Sequence, residues 1–186
     1  MGFWQTVKTV IFKKYFKFSG RASRSEFWWF MLFYTICYML IFALQSTIIV
    51  LIDQSINKTG YSFITEDIYE YLDIGFILCD VLFLLVFFFP RLGVTVRRLH
   101  DLNLSGWWSV LLVGLALTTL IPLLRFYFMD VYLYLINIGS NVFWFKFVFS
   151  LLVFVLLIVL IKKGTNGPNK YGENPVKVDV DVSIFS

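Results

Sequence analysis

Charged residues are scarce in this sequence: Asp, Glu, Lys and Arg make up only 15% of its 186 positions. Apolar residues account for 59% and aromatic residues for 20%. Charged and polar side chains normally form much of the surface that a soluble domain exposes to water. A soluble chain of this composition could not cover its own surface, so the composition predicts an integral membrane protein.

Cysteine and histidine are also scarce, which argues against several kinds of site. Cys37 and Cys79 are the only cysteines and lie in separate apolar runs, and His100 is the only histidine. Two isolated thiols and one imidazole supply neither the ligand number nor the spacing of a metal site. The net charge of +4 is modest, which disfavours diffuse nucleic-acid binding. We expect no cofactor, no metal and no nucleic-acid partner.

Long apolar runs are plentiful and predict an all-α protein with four transmembrane helices. A spanning helix needs about 20 apolar residues, because the hydrocarbon layer is about 30 Å thick and each residue rises about 1.5 Å. The predicted spans cover about residues 27–52, 74–96, 107–124 and 142–161. Pro90 lies inside the second span and predicts a kink there. Polar interruptions in 126–140 favour an interfacial connection over a longer, tilted fourth helix.

Most basic residues fall in three segments that four spans place on one side of the membrane. Positively charged loops resist translocation, so that side is predicted to be the cytoplasm. The loop 53–73 contains five acidic residues and one lysine, Lys58, and it belongs to the opposite side. We therefore expect a bacterial inner-membrane protein with a cytoplasmic segment 1–26, a four-helix domain 27–161 and a cytoplasmic C-terminal tail 162–186.

Residues 1–18 have the pattern of an amphipathic helix. Lys8, Lys13 and Lys17 lie outside an apolar arc into which only Lys14 intrudes. The arc consists of Phe3, Trp4, Val7, Val10, Ile11, Tyr15 and Phe18. The pattern predicts an interfacial helix on anionic headgroups, with a helix packed on the protein itself as the alternative. Residues 176–184 alternate as in a strand, and we interpret them as a flexible tail rather than an edge strand.

Three polar motifs flank the predicted spans on the cytoplasmic side. They cover residues 20–28, 97–108 and 164–175 and read GRASRSEFW, RRLHDLNLSGWW and GTNGPNKYGENP. In the order and spacing of these motifs, the chain from about Tyr15 to Pro175 resembles the bacterial inner-membrane family known as domain of unknown function 805. The resemblance implies four spans but no settled activity. That family usually has glycine where this chain has Asn103, and asparagine should keep the turn because it enters the left-handed region cheaply.

The motifs supply candidates for binding lipid headgroups or a partner. Arginine presents a planar fork that suits phosphate and carboxylate groups. The candidates are Arg21, Arg24, Arg97, Arg98, His100, Asp101, Trp107, Trp108, Asn169 and Tyr171. The alternative is that the arginines brace the helix junctions internally, with Glu26 and Asp101 as partners. Ser23 or Ser25 is expected to cap the first span, with Glu26 in its opening turn, and Ser105 the third.

Asp80 is the one ionisable residue well inside an apolar run. A carboxylate there costs at least a few kcal/mol unless it is paired or protonated. At about 1.5 Å per residue, Lys146 and Arg125 lie at a similar depth. We predict that Asp80 pairs with one of them as a structural clasp, and the alternative is a proton- or ion-coupled site.

The leading functional hypothesis is a non-enzymatic membrane component whose cytoplasmic Arg/Trp face binds anionic lipid headgroups or a protein partner, including a second copy of the chain. One alternative is a subunit of an oligomeric transporter or channel, because four helices with so few polar residues can scarcely line a pore alone. The other is a membrane enzyme acting on a phospholipid-like substrate with Arg97, Arg98, His100 and Asp101. No nucleophile with its own base is evident, so we assign no catalytic residue.

Overall fold

The computed structural model describes residues 2–59, 65–110 and 139–176 of the chain. Within these ranges the protein is all-helical, with four α-helices and no β-strand. The helices are α1 (Phe3–Lys8), α2 (Arg24–Thr59), α3 (Thr65–Asp101) and α4 (Gly139–Ile161). A π-helical turn (Thr9–Lys13) continues α1, and a 3-10 turn (Gly106–Ser109) follows α3.

Helices α2 and α3 are long and apolar enough to cross a membrane. Their apolar stretches, Arg24–Lys58 and Tyr71–Asp101, contain 35 and 31 residues with mean hydropathies of 2.2 and 2.5. Large apolar side chains such as Leu40, Leu82 and Leu85 are more than 60% exposed in the described part of the chain. Exposed leucines along helices of this length fit a lipid solvent. Since about 20 residues suffice to span the bilayer, each helix extends beyond the hydrocarbon layer.

The observed helices contain three of the predicted spans. Helices α2 and α3 include 27–52 and 74–96, and α3 continues as a helix through Pro90. Helix α4 includes 142–161 and begins at Gly139. The predicted third span, 107–124, begins in the 3-10 turn, and its residues after Val110 lie outside the described ranges. So do residues 126–138 of the predicted interfacial connection and residues 177–184 of the predicted tail.

The N-terminal helix packs against the protein along one side. Thr6, Val7 and Val10 are buried, and the ring of Phe3 contacts Trp29 edge to face. On this side the segment follows the alternative prediction, a helix packed on the protein itself. Its other side is exposed, with more than 60% of the Trp4 and Phe12 side chains open. The predicted apolar arc included Trp4, which is exposed, and left out Phe12, which is exposed as well.

A hydrophobic core lies at the end of the helices where α2 begins and α3 and α4 end. It is built from residues of the N-terminal segment and all three long helices. Its buried members are Val10, Ala22, Phe27, Phe30, Val94, Leu99, Val153, Leu156 and Leu160. The polar motifs lie next to this core. We call the region in which they meet the junction (residues 20–26, 97–105 and 160–172).

The helix ends at the junction follow the predicted capping chemistry. The Glu26 N–H donates to Ser23 Oγ at 3.2 Å, so Ser23 rather than Ser25 caps α2. Ser105 caps the 3-10 turn by accepting the N–H of Trp107. Helix α3 ends in a Schellman motif: the Leu104 N–H donates to the Leu99 carbonyl at 2.9 Å. Asn103 has φ of 60°, which confirms that asparagine keeps the left-handed turn.

Candidate functional site

Backbone hydrogen bonds join the three polar motifs into the junction. The Ala22 N–H of the first motif donates to the Arg97 carbonyl of the second at 2.9 Å. The Thr165 N–H of the third motif donates to the Asp101 carbonyl, also at 2.9 Å. The three motifs therefore contact one another in the described residues, and their common position on the cytoplasmic side stays a prediction. Their sequence separation is large, so the junction depends on how the helices pack.

Asp101 holds the centre of the junction by pairing with two arginines. Its Oδ1 accepts from Arg21 Nε at 2.9 Å, and its Oδ2 accepts from Arg98 Nη1. All three side chains are at most 5% exposed. Gly164 lies directly against this carboxylate, and a Cβ added there would be 2.0 Å from Asp101 Oδ2. Only glycine fits at position 164 while Asp101 keeps this place.

The remaining donors of these two guanidinium groups bind backbone carbonyls. Arg21 Nη2 donates to the Thr165 carbonyl at 2.6 Å, and Arg21 Nη1 donates to the Gly167 carbonyl at 2.7 Å. Arg98 donates to the Leu160 carbonyl through Nε and Nη2, and to the Lys162 carbonyl. The last carbonyls of a helix lack helical partners and carry partial negative charge. Arg98 therefore caps the C-terminus of α4 while it braces Asp101.

A second ion cluster connects the N-terminal segment to α2 and α3. Glu26 is almost fully buried and accepts from Lys14 Nζ at 3.0 Å and from Arg97 Nη1. Arg97 Nε also donates to the Gly93 carbonyl at 3.2 Å. Arg97 Nη2 is buried and has no hydrogen-bond partner among the described residues. One carboxylate thus serves two cations, which leaves this cluster with a positive charge.

His100 is fixed by its neighbours in a way that separates it from Asp101. His100 Nδ1 lies 3.1 Å from the Gly20 carbonyl, so Nδ1 carries the hydrogen. The imidazole stacks on the Tyr171 ring at 3.8 Å, and Asn169 Nδ2 donates to the His100 carbonyl at 2.9 Å. Burial lowers the pKa of this imidazole, which lies beyond the predicted span, and favours the neutral form. Because the Asp101 carboxylate serves the arginines, the acid/base pair suggested by adjacency is not formed.

Arg24 differs from the other three arginines of the motifs because it is exposed. Within the described residues its guanidinium group forms neither a hydrogen bond nor an ion pair. It lines a groove of about 450 Å³ with Ser25, Trp28, Trp29, Leu32 and Ile161, which we call the Arg24 groove. Trp28 and Trp29 are 38% and 40% exposed there. The groove thus presents a free guanidinium beside two indole rings.

The structure separates the sequence-predicted candidates into two groups. Arg21, Arg97, Arg98 and Asp101 are buried in the bracing arrangement. Arg24, Trp107 and Trp108 are exposed, and Trp107 is 82% open. His100, Asn169 and Tyr171 form the stacked and hydrogen-bonded edge between the second and third motifs.

Sequence reasoning did not assign Lys14 or Gly164 to the site. The intrusion of Lys14 into an otherwise apolar arc was the available signal, because a cation on a packed face needs a partner. No comparable signal marked Gly164, since the close approach of Asp101 depends on the fold.

Asp80 has a polar neighbour on α2 that the sequence did not suggest. Gln45 Nε2 donates to Asp80 Oδ1 at 3.3 Å. Arg125 lies outside the described residues, and so does the side chain of Lys146. The clasp between Asp80 and one of these cations therefore stays a prediction.

Comparison with known proteins identifies relatives along nearly the whole chain. Residues 15–173 match the family described as "Protein of unknown function (DUF805)". The chain is 27% identical over 165 residues to "Inner membrane protein YhaI" of Escherichia coli strain K12, covering 89% of this chain and 91% of that protein. The protein of the same name from Escherichia coli O157:H7 matches with the same figures. No solved structure matches significantly. The matched residues contain the first two motifs entirely and the third motif up to Glu173.

Proposed function

We propose that this chain, which belongs to the DUF805 family and is an inner-membrane protein, crosses the membrane four times and binds anionic lipid headgroups at the Arg24 groove on its cytoplasmic side. The family match and the two long apolar helices support the membrane location. The number of crossings and the orientation of the termini are part of the proposal. Both termini are placed in the cytoplasm.

The distribution of charge along the helices supports this orientation. The start of α2 and the ends of α3 and α4 meet at the junction, where Arg21, Arg97 and Arg98 are concentrated. Asp53 lies near the other end of α2, and Asp73 lies near the start of α3. Loops that carry Lys and Arg are retained in the cytoplasm. The junction is therefore assigned to the cytoplasmic surface and the acidic loop to the opposite one.

The observation that carries the binding proposal is the free, exposed guanidinium of Arg24 next to Trp28 and Trp29. Guanidinium groups bind phosphate through two parallel hydrogen bonds, and indole rings favour the headgroup level of a bilayer. Leu32 and Ile161 give the groove an apolar wall for the glycerol and upper acyl chain. A phosphodiester with an apolar tail matches this combination, and anionic phospholipids provide it.

The exposed side of the N-terminal helix supports contact with the same surface. Trp4 and Phe12 are open there, together with Lys8 and Lys13. Aromatic residues interleaved with lysines favour an interface with anionic lipids, to which each cation near the surface adds about 1 kcal/mol. The buried side of the helix thus packs against the protein, and its exposed side is available to contact the bilayer.

The alternatives receive less support from the described residues. An enzyme that used Arg97, Arg98 and Asp101 would have to break the buried ion pairs that hold the junction. A transporter or channel would need an oligomer to line a path, because the described helices present mainly apolar side chains. Headgroup binding at Arg24 requires neither rearrangement nor a second copy.

Native mass spectrometry of the purified protein with mixed phosphatidylglycerol and phosphatidylethanolamine tests the proposal. Wild type should retain phosphatidylglycerol preferentially, and Arg24→Gln should weaken that retention by about tenfold, the effect of losing one charge-assisted interaction. The matched control Lys58→Gln removes an exposed cation at the opposite end of α2 and should retain lipid as wild type does. Equal retention of both lipids by wild type, or an unchanged Arg24→Gln variant, would contradict headgroup binding at this groove.

A further inference from the structure

Pro90 leaves a gap in the hydrogen bonding of α3. Each N–H of an α-helix donates to the carbonyl four residues earlier, and the proline nitrogen carries no hydrogen. The Val86 carbonyl therefore lacks the usual N–H partner four residues later, although the helix continues to Asp101. A carbonyl without a partner is costly beside lipid, and membrane helices tolerate proline where other groups satisfy it.

The hydroxyl of Tyr15 fills this gap. Tyr15 Oη donates to the Val86 carbonyl at 2.7 Å, across 71 residues of sequence. The neighbouring Phe16 ring packs on Phe89 with centroids 4.9 Å apart. Further along, the Lys17 carbonyl approaches Gly93 so closely that an added Cβ would lie 3.1 Å from it. Residues 14–18, which we call the strap, thus cross α3 directly over the proline.

The position of Pro90 divides α3 into two parts with different tasks. Most of the predicted span 74–96 lies before Pro90, and the part of α3 after Pro90 carries Arg97, Arg98 and Asp101 of the junction. The strap contacts both parts, since Tyr15 binds Val86 on one side of the proline and Lys17 meets Gly93 on the other. Prolines are the usual sites of bending in helices because the missing bond weakens them there.

We propose that Pro90 is a hinge between these two parts of α3. The hydrogen bond from the Tyr15 hydroxyl to the Val86 carbonyl holds this hinge in the observed conformation. The bond that replaces the missing helical one comes from outside the helix, so it can break without unfolding either part. When it breaks, the junction end of α3 is free to tilt against the membrane-crossing end. The inference concerns the motion of α3 and does not depend on lipid binding at the Arg24 groove.

Hydrogen exchange measured by mass spectrometry on the full chain in lipid nanodiscs tests this hinge. Tyr15→Phe removes the hydroxyl and keeps the ring that packs beside Phe89. Loss of one hydrogen bond should raise amide exchange in peptides spanning residues 86–94 by about fivefold. Pro90→Ala restores an N–H for the Val86 carbonyl, so adding Tyr15→Phe in that background should leave exchange in these peptides unchanged.

Tyr38→Phe provides the matched control for the hinge experiment. The Tyr38 ring also contacts α3, with its centroid 5.9 Å from that of Phe83, and no hydrogen bond from its hydroxyl is present in the described part of the chain. Exchange at 86–94 should therefore stay at the wild-type rate in this variant. An equal rise with Tyr15→Phe in both backgrounds, or no rise in either, would overturn the hinge. If the Tyr15→Phe protein fails to accumulate, normal accumulation of the double variant with Pro90→Ala supports the proposed role of the Tyr15 hydrogen bond. Failure of the double variant to accumulate overturns that role.

Discussion

Replacement of Gly164 by alanine should disrupt the junction from a position that carries no charge. The added Cβ would lie 2.0 Å from Asp101 Oδ2 and 2.5 Å from Asp101 Cγ, distances that no packed pair of atoms adopts. The carboxylate must move, and it cannot do so while it pairs with both Arg21 and Arg98. At least one buried guanidinium then loses its counter-charge.

The expected cost follows from the burial of these groups. Removing one partner of a buried ion pair costs about 3–5 kcal/mol, because the other charge stays buried and unpaired. A loss of about 3 kcal/mol corresponds to a fall of roughly 6–12 °C in the unfolding temperature of a chain of this size. Gly75→Ala is the control: its Cβ would meet nothing within 4 Å among the described residues, and alanine is the better helix former.

Thermal unfolding in detergent, followed by tryptophan fluorescence, provides the measurement. Gly164→Ala should unfold well below wild type, and Gly75→Ala should unfold at or above it. If the clash with Asp101 is the cause, Gly164→Ala should cost little more in a variant that already carries Asp101→Ala. Equal unfolding temperatures for Gly164→Ala and wild type would refute the argument that Asp101 needs this space.

Two further predictions concern the orientation and the pH dependence of the junction. In a chain without its native cysteines, the exposed position Asn103 changed to Cys should escape an impermeant thiol reagent in intact cells; labelling from outside would contradict a cytoplasmic junction. Burial lowers the pKa of His100, and the charge of Lys170 acts in the same direction, so the unfolded chain takes up the proton more readily. The contribution of neutral His100 to stability should be fully present above the ordinary histidine pKa of about 6.5. The unfolding temperature should therefore fall as the pH drops through that value, and His100→Gln should reduce this fall.

The sequence predicted where the helices lie and how two of their ends are capped because those features are local, although α2 and α3 extend up to nine residues beyond the predicted spans. Apolar runs located α2 and α3, and residues near two helix ends indicated a cap by Ser23 or Ser25 and the left-handed turn at Asn103. Each of these depends on contacts between neighbours in the chain. Local chemistry therefore sufficed for the elements that position the site.

The pairing inside the junction was not predictable in the same way. Arg21 meets Asp101 across 80 residues and meets the Thr165 carbonyl across 144. The sequence offered Arg21, Arg97 and Arg98 either as ligand-binding or as bracing residues, and nothing local distinguished them from Arg24. Backbone carbonyls, which accept many of the donors, are present at every residue and give no sequence signal.

The charge balance of the junction explains how its arginines can be buried and still mark the cytoplasmic side in the proposed topology. Among the described residues, the four cations Lys14, Arg21, Arg97 and Arg98 pair with two carboxylates, those of Glu26 and Asp101. Neutral carbonyls take up many of the remaining donors, including those at the end of α4, where the helix dipole adds partial negative charge. Arginine suits this arrangement because its five N–H groups reach a carboxylate and several carbonyls together, whereas lysine offers three donors on one atom. Because neutral carbonyls rather than carboxylates accept many of the arginine N–H groups, the three polar motifs keep the net positive charge that resists translocation. The same arginines brace the helices once the helices have packed.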